Sequence, residues 1–168
     1  MRGVGVLKQR DILFKTEKNI FSYRVAGILI RDRKVLLQRP INDTGYSFPG
    51  GHVSFGETNE ETLIREFKEE ISADINVHGL QWVAEIFFPW GDKPCHQICL
   101  FYRISLCDET QIALGGTFNA IDELDKMNIN LEFSWIPLSK IKDIDLYPAK
   151  AKEKLLTLSD KIEHFIDK

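Results

Sequence analysis

The stretch from Gly50 to Ile75, GGHVSFGETNEETLIREFKEEISADI, constrains this chain more than any other segment. Acidic side chains crowd its second half, where six glutamates stand against two cations between residues 57 and 70, a local net charge of −4. Carboxylates at this density repel one another unless cations lie among them. The segment therefore predicts a site for a divalent cation. The glutamates are Glu57, Glu60, Glu61, Glu66, Glu69 and Glu70, and the cations are Arg65 and Lys68.

Local signals predict that most of this stretch is a helix entered from a glycine loop. Thr58 and Glu61 have the spacing of a capping box, and apolar residues recur at helical spacing. Glu66, Glu69 and Glu70 fall on a neighbouring arc, so their carboxylates are expected to converge on one point. Oxygen-only ligands suit a hard ion such as Mg²⁺ or Mn²⁺. The apolar residues of the helix are Leu63, Ile64, Phe67 and Ile71.

Arg65 lies one turn before Glu69, at a spacing that allows the two side chains to pair. A glutamate-rich helix is, however, usually a solvated surface, which is the alternative to a metal site. The wider spacing of the segment favours the metal site. It runs Gly51, five residues, Glu57, seven residues, Arg65-Glu66, Phe67, Lys68, Glu69-Glu70.

This spacing resembles the Nudix box, the 23-residue signature of the Nudix hydrolase family, over Gly51 to Ala73. The chain departs from the signature at Ser72, where the family has a glycine that ends the helix in a left-handed turn. The resemblance implies an α/β fold, specifically an α/β/α sandwich with a mixed β-sheet. It also implies hydrolysis of a phosphoanhydride bond with Mg²⁺ or Mn²⁺ as the cofactor, because carboxylates alone would repel the phosphates.

The family's metal ligands map onto four positions of this chain. Glu66 and Glu70 would be the principal ligands, and Glu69 a ligand or the general base. Gly51 would offer its backbone carbonyl to the metal.

Other residues would support this chemistry. The resemblance implies that Arg65 orients the carboxylates of the helix. Gly50 and Glu57 would support the loop before it, and Glu57 could instead coordinate the metal through water. Glu132, on a predicted strand, competes with Glu69 for the role of base, and a solvated strand residue is the favoured alternative for Glu132. The choice between the two bases stays open at this point.

Composition limits the remaining possibilities. A chain of 168 residues with 43% hydrophobic content fits a single domain with a proper core. The net charge of −3 and the lack of a long basic run argue against nucleic-acid binding. No secretory signal is expected at residues 1–8, and no apolar run is long enough for a membrane span. We therefore expect a cytoplasmic protein. The three cysteines, Cys95, Cys99 and Cys107, are expected to act as small apolar side chains in strands.

The chain before the box alternates in the manner of strands. Residues 12–16 and 20–31 are predicted strands, and Asp32-Arg33 is a predicted hairpin turn into a strand over residues 34–39. Arg39 ends that strand near the box. A phosphate contact and a surface ion pair are about equally good interpretations of Arg39.

Two β-rich runs follow the helix, over residues 74–88 and 96–105, with a hairpin loop predicted at 89–94. Phe88 and Trp90, at the end of the first run, could stack on a nucleobase, although a place in the core is the favoured alternative. Pro89 lies sixteen residues after Ala73. A proline there is loosely associated with ADP-ribose cleavage in the Nudix family.

The last third of the chain breaks this regularity. A loop-rich insertion is predicted at about residues 108–131, and a strand at 131–136. A C-terminal helix is predicted after Pro148, because apolar residues recur at helical spacing. These residues are Ala151, Leu155, Leu158, Ile162 and Phe165.

Three functions are consistent with these patterns. The favoured one is hydrolysis of a nucleoside diphosphate linked to another moiety, with ADP-ribose or a nucleotide sugar as the substrate type. The second is a pyrophosphohydrolase that cleans the pool of (d)NTPs. The third is a non-catalytic nucleotide-binding module. The expected partner is a small molecule, and no binding to nucleic acid or to a membrane is expected. A homodimer is implied only because members of the family often dimerise.

Overall fold

The computed structural model describes residues 11–124 and 127–168, and the side chains of these residues outside 122–128. Residues 1–10, which bear on the expectation of no secretory signal, lie outside the described residues. The strands are β1 (Leu13–Lys15), β2 (Ile20–Arg31), β3 (Lys34–Pro40), β4 (Tyr46–Ser47), β5 (Gly50–His52), β6 (Ile75–Trp90), β7 (Lys93–Leu106), β8 (Thr117–Leu124), β9 (Met127–Pro137), β10 (Leu146–Tyr147) and β11 (Glu163–Asp167). The helices are α1 (Asn59–Ile71) and α2 (Ala151–Leu156), with short 3-10 helices at Glu109–Gln111 and Leu138–Asp143.

The strands form one mixed sheet, which confirms the predicted fold class. Its main order is β10-β4-β3-β2-β7-β6-β11, while β1 and β5 pair with β2, β9 pairs with β3, and β8 pairs with β9. The pairs β2·β7, β6·β11 and β4·β10 are parallel, and the others are antiparallel.

Alternation along the strands divides the core between the two faces of this sheet. Neighbouring residues such as Leu36 and Leu37 point to opposite faces, as strand geometry requires. The α1-side core includes Val25, Leu36, Leu63, Phe67, Phe133 and Trp135. The α2-side core includes Ala26, Leu37, Trp82, Phe101, Leu155 and Phe165.

The helix of the acidic stretch is confirmed together with its cap. The Thr58 Oγ1 atom accepts from the Glu61 backbone N–H at 3.2 Å, and Glu61 Oε2 accepts from the Thr58 N–H at 2.8 Å. At the other end, Ser72 adopts the left-handed conformation, with φ 55° and ψ 27°. Ser72 therefore provides the same helix exit as the glycine that it replaces.

Two hairpins differ in how well their turns were predicted. Asp32 and Arg33 both have positive φ, as a two-residue turn between antiparallel strands requires, so this turn is confirmed. The hairpin predicted at residues 89–94 is present, but its turn is shorter than predicted, because only Gly91 and Asp92 lie outside β6 and β7. Pro89 and Pro94 lie opposite each other, so the backbone donors they lack fall in one rung of the ladder.

The predicted loop-rich insertion is largely wrong, since β8 and the first half of β9 occupy residues 117–124 and 127–131. Polar residues are frequent in these two exposed strands, so the apolar pattern that usually indicates a strand is weak there. Residues 125 and 126 lie outside the described residues. The long C-terminal helix is also wrong. It ends at Leu156, Ile162 is 62% exposed, and residues 163–167 form β11 beside β6. Backbone carbonyls at Ser159 and Lys161 accept from Gln81, which holds the chain out of the helix.

Candidate active site

The two glycines at the start of the box have close contacts on both sides of β5. Gly50 has φ 148°, and a Cβ atom there would collide with the backbone of Val25 and Ala26 in β2. A Cβ atom on Gly51 would collide with the carboxylate of Glu66. Gly51 therefore leaves the space in which the Glu66 side chain lies, which is a cradle that any larger residue would fill.

The pairing of β5 with β2 decides which backbone carbonyls face the site. Gly51 lies opposite Val25. Along the ladder, the pair two residues to one side is joined by a hydrogen bond from Val53 N–H to Tyr23 O, and the pair two residues to the other side by one from Gly27 N–H to Pro49 O. Alternation along an antiparallel ladder directs the Gly51 carbonyl towards Val25. The predicted role of this carbonyl as a metal ligand conflicts with that register.

The carbonyls of Gly50 and His52 instead point away from β2 at the outer edge of β5. An arginine side chain contacts each of them. The Nη2 atom of Arg24 donates to Gly50 O at 2.8 Å, and Nη2 of Arg65 donates to His52 O at 3.5 Å.

Arg65 binds three carboxylates of the box at once. Its Nε and Nη2 atoms donate to the two oxygens of Glu57 at 2.8 and 2.9 Å. Its Nη1 atom donates to Glu66 Oε1 at 2.7 Å and to Glu69 Oε2 at 3.2 Å. The pairing of Arg65 with Glu69 is thus confirmed, and Glu57 braces the arginine from the loop.

This network changes the protonation of its members. Burial opposes the charge of Arg65, but the hydrogen bond to Glu57 and the charge of Glu66 outweigh that cost and raise the pKa of the guanidinium. The hydrogen bond from Arg65 lowers the pKa of Glu57, against the effect of burial, and Thr62 Oγ1 adds a second hydrogen bond at 2.9 Å. Both groups therefore stay charged at neutral pH.

The three glutamates of α1 differ in burial. Glu66 is buried against Gly51, the Oε1 atom of Glu70 is inaccessible to solvent, and the Glu69 side chain is 62% exposed. In the described part of the chain, no three His, Cys, Asp or Glu side chains lie close enough to hold a metal ion. A single nitrogen of Arg65 donates to both Glu66 and Glu69, so a cation already bridges two of the three carboxylates. That Glu66, Glu69 and Glu70 share one metal site stays a prediction.

The chemistry of these donors nevertheless fits a hard divalent ion. Glu66 and Glu70 are four residues apart on one face of α1 and offer only oxygen atoms. The Glu66 carboxylate occupies the space beside Gly51, in which a side chain at position 51 would otherwise lie. Mg²⁺ and Mn²⁺ both suit such a set of donors.

Arg39 and Glu132 form a separate pair on the other face of the sheet. They are opposite each other in β3 and β9, with Arg39 Nη2 at 2.7 Å and Nε at 2.9 Å from Glu132 Oε1. Arg39 follows Leu37 by two residues and so lies on the face of the α2-side core, where its guanidinium is 4.9 Å from the Tyr46 ring. The ion-pair interpretation of Arg39 is confirmed, and Glu132 is not a freely solvated residue.

Phe88 and Trp90 lie on this same face at the end of β6. Phe88 packs against the α2-side core, as the alternative interpretation expected. Trp90 is half-buried, and its ring lies 6.2 Å from Phe88 and 6.1 Å from His52 in nearly parallel planes. Lys15 Nζ lies 4.9 Å from the centre of the Trp90 ring.

Sequence reasoning missed two residues of the site, Arg24 and His52. They are opposite each other in β2 and β5, so only the long-range pairing brings Arg24 to the box. His52 is buried, with its Nε2 atom 3.1 Å from Ser22 Oγ. The proximity of His52 to the glycines was the one local signal for either residue.

Within residues 11–124 and 127–168, no helix has both the length and the apolar character needed to cross a membrane.

Comparisons with known proteins identify relatives of this chain. An ADP-ribose pyrophosphatase from Methanocaldococcus jannaschii is 30% identical over 121 residues, which are 70% of this chain and 66% of that protein, slightly under two thirds of its length. A mutator MutT protein from Bacillus halodurans has a structure that matches with a TM-score of 0.59 at 18% identity, over 86% of this chain and 89% of that chain. The structure of an ADP-ribose pyrophosphatase from Streptococcus suis matches with a TM-score of 0.55 at 16% identity, over 86% and 98% of the two chains.

The two solved structures support the fold alone, given their low identity. A family model provides the assignment, since the model of the NUDIX domain matches residues 22–156 and so spans β2 to α2. The chain belongs to the NUDIX domain family.

Proposed function

We propose that this protein is a divalent-metal-dependent hydrolase that cleaves the phosphoanhydride bond of a nucleoside diphosphate linked to another moiety, with ADP-ribose as the first substrate to test. The observation that carries this proposal is the Arg65 network, which binds Glu57, Glu66 and Glu69 beside the glycine cradle. The archaeal relative named as an ADP-ribose pyrophosphatase supports the substrate class.

Glu66 and Glu70 would hold Mg²⁺ or Mn²⁺ in this proposal. When bound, the ion screens the negative charge of the diphosphate and lowers the pKa of an attacking water. Gly51 contributes by its missing side chain, and Gly50, whose carbonyl points outwards, would offer a backbone oxygen to the ion in place of Gly51. Arg65 and Glu57 keep the Glu66 carboxylate in one orientation.

Glu69 is the favoured general base. It lies on α1 beside Glu66 and exposes most of its side chain, so water can reach its carboxylate. Glu132 lies on the opposite face of the sheet and is neutralised by Arg39. The base role is therefore proposed for Glu69.

The nucleoside would lie on the face that carries Phe88 and Trp90. Trp90 offers a half-exposed indole ring near β5, and Lys15 beside it adds a positive charge. An aromatic ring of this kind stacks on a nucleobase. Arg39 remains a candidate for a contact with the distal part of the substrate, at the cost of its pair with Glu132.

The experiment is a panel of ADP-ribose, nucleotide sugars, dinucleoside polyphosphates and (d)NTPs, assayed for phosphate release coupled to a phosphatase with Mg²⁺ or Mn²⁺. Glu70→Gln should lower turnover by about a thousandfold or more while leaving the fold intact, because it removes a metal ligand. Glu60→Gln, an exposed glutamate of the first turn, is the matched control. Full activity of Glu70→Gln, or no metal-dependent turnover of any substrate, would contradict the proposal.

A further inference from the structure

Arg24 is a half-buried cation beside the box, and no carboxylate among the described residues forms an ion pair with it. In the part of the chain that the structure describes, Arg39 and Arg65 both form ion pairs with glutamates, whereas the hydrogen bond of Arg24 goes to the neutral carbonyl of Gly50. The residue opposite Arg24 in β7 is Cys99, and burial raises the pKa of its thiol to about 12, so the thiol carries no charge. Among residues 11–124 and 127–168, no neighbouring anion thus compensates the charge of Arg24.

A guanidinium in this position has donors to spare. It carries five N–H donors in a planar fork, and one nitrogen is bonded to Gly50 O at 2.8 Å. Partial burial of a cation without an anion is unfavourable, which favours a ligand that supplies negative charge there. Planar forks bind phosphate oxygens in pairs, which makes phosphate the ligand that suits Arg24.

The place of Arg24 agrees with this ligand. Two arginines contact the outer edge of β5, one from each face of the sheet. Arg24 donates to Gly50 O, and Arg65 donates to His52 O. Glu66 lies against Gly51 between these two contacts. A diphosphate along this edge would have the carboxylates of α1 on one side and Arg24 on the other. Arg24 also shares its face with His52 and Trp90, where the nucleoside is proposed to lie.

We infer that Arg24, and not Arg39, is the principal arginine for the diphosphate of the substrate. This inference rests on the proposed function for its substrate class. Arg39 would have to give up its ion pair of 2.7 Å with Glu132, whereas Arg24 has no ion pair to lose within the described residues and can keep its hydrogen bond to Gly50 O.

The test compares Arg24→Met with Arg33→Met, a matched control in the exposed hairpin turn between β2 and β3. Steady-state kinetics use the substrate of the panel that the wild type cleaves fastest. Arg24→Met should raise KM about ten- to a hundredfold, as expected for loss of a hydrogen bond from a charged donor, with a smaller effect on kcat. Mn²⁺ affinity without substrate, measured from the EPR signal of the free ion, should be unchanged.

Binding of ADP with Mg²⁺, measured by calorimetry, tests the site without turnover. The wild type should bind ADP at least about tenfold more tightly than Arg24→Met. If the wild type cleaves no substrate of the panel, the proposed function fails while this measurement still decides the role of Arg24. Equal ADP affinities, or no ADP binding by the wild type, would overturn the inference.

A purely positioning role would give a different pattern. If Arg24 only orients the Gly50 peptide, Arg24→Met should lower kcat and weaken Mn²⁺ binding with KM unchanged, and that result would also overturn the inference. Arg24→Lys decides the matter if Arg24→Met does not fold. Because an ammonium group lacks the planar fork, KM and the Kd for ADP should rise several-fold, and unchanged values would count against phosphate binding.

Discussion

The molecule contains two arginine–glutamate pairs with nearly the same geometry and different surroundings. Arg65 lies 2.8 Å from Glu57 at the start of α1, and Arg39 lies 2.7 Å from Glu132 across β3 and β9. Glu57 is 8% exposed and shares its arginine with two further glutamates, whereas Glu132 is 23% exposed and its arginine binds no second carboxylate in the described part of the chain. Distance alone therefore does not separate a site from a surface pair, while burial and the number of shared carboxylates do.

Among the changes to these two pairs, removal of Arg65, the arginine shared by three glutamates, should lower the stability most. Arg65→Met leaves Glu57, Glu66 and Glu69 close together without a cation, so we expect a loss of roughly 2–3 kcal/mol in unfolding free energy, discounted for partial exposure. Added Mn²⁺ should restore more stability to this variant than to the wild type, because the ion supplies the missing charge. Urea unfolding with and without Mn²⁺ measures both effects. A loss as small as that of Arg39→Met would remove the distinction between the two pairs.

Glu57→Gln should have an intermediate effect that depends on pH. The pKa of Glu57 is lowered in the folded protein from an ordinary value of 4.5, so its carboxylate contributes stability above that pH and loses it as the pH falls through the lowered pKa. We expect the variant to be less stable by about 1–2 kcal/mol at neutral pH, with the difference shrinking below about pH 4.5. Unfolding curves of both proteins at several pH values provide the measurement. A difference that stays constant into acid would show that the charge of Glu57 is not the cause.

Glu132→Gln should have the smallest effect. The pair with Arg39 is partly exposed and is screened by water, so the expected loss of stability is below about 1 kcal/mol. With Glu69 as the base, kcat should change by less than about threefold, whereas Glu69→Gln should lower it by about a hundredfold or more. Steady-state kinetics of the two variants on one substrate decide between them. A large fall in kcat for Glu132→Gln alone would move the base role to the other face of the sheet.

Local sequence signals predicted the parts of the fold that depend on local contacts. The capping box of Thr58 and Glu61, the turn at Asp32-Arg33 and the pairing of Arg65 with Glu69 all join residues within four positions of one another. Family spacing predicted the choice of glutamates, since a single helix could not distinguish them from a solvated face.

The errors concern features that long-range pairing decides. The apolar spacing from Leu155 to Phe165 suits a helix, yet parallel pairing with β6 makes residues 163–167 a strand. The register of β5 against β2 decides which carbonyl of the glycine pair faces outwards, and no local pattern encodes that register. Arg24 reaches the box through the same pairing. Its role is therefore hidden in a sequence where it stands 26 positions before Gly50.

The three consecutive residues of β5 each contact a different group. The Gly50 carbonyl meets Arg24, the Gly51 backbone meets Glu66, and the His52 ring meets Trp90. Since side chains alternate between faces, deletion of one residue between β4 and β5 would turn the imidazole towards the carboxylate and the glycine towards the indole. Length variation is thus excluded from this short connection. Related chains that differ in the number of residues should carry their insertions in the polar segment before β4, where residues 41–44 are exposed.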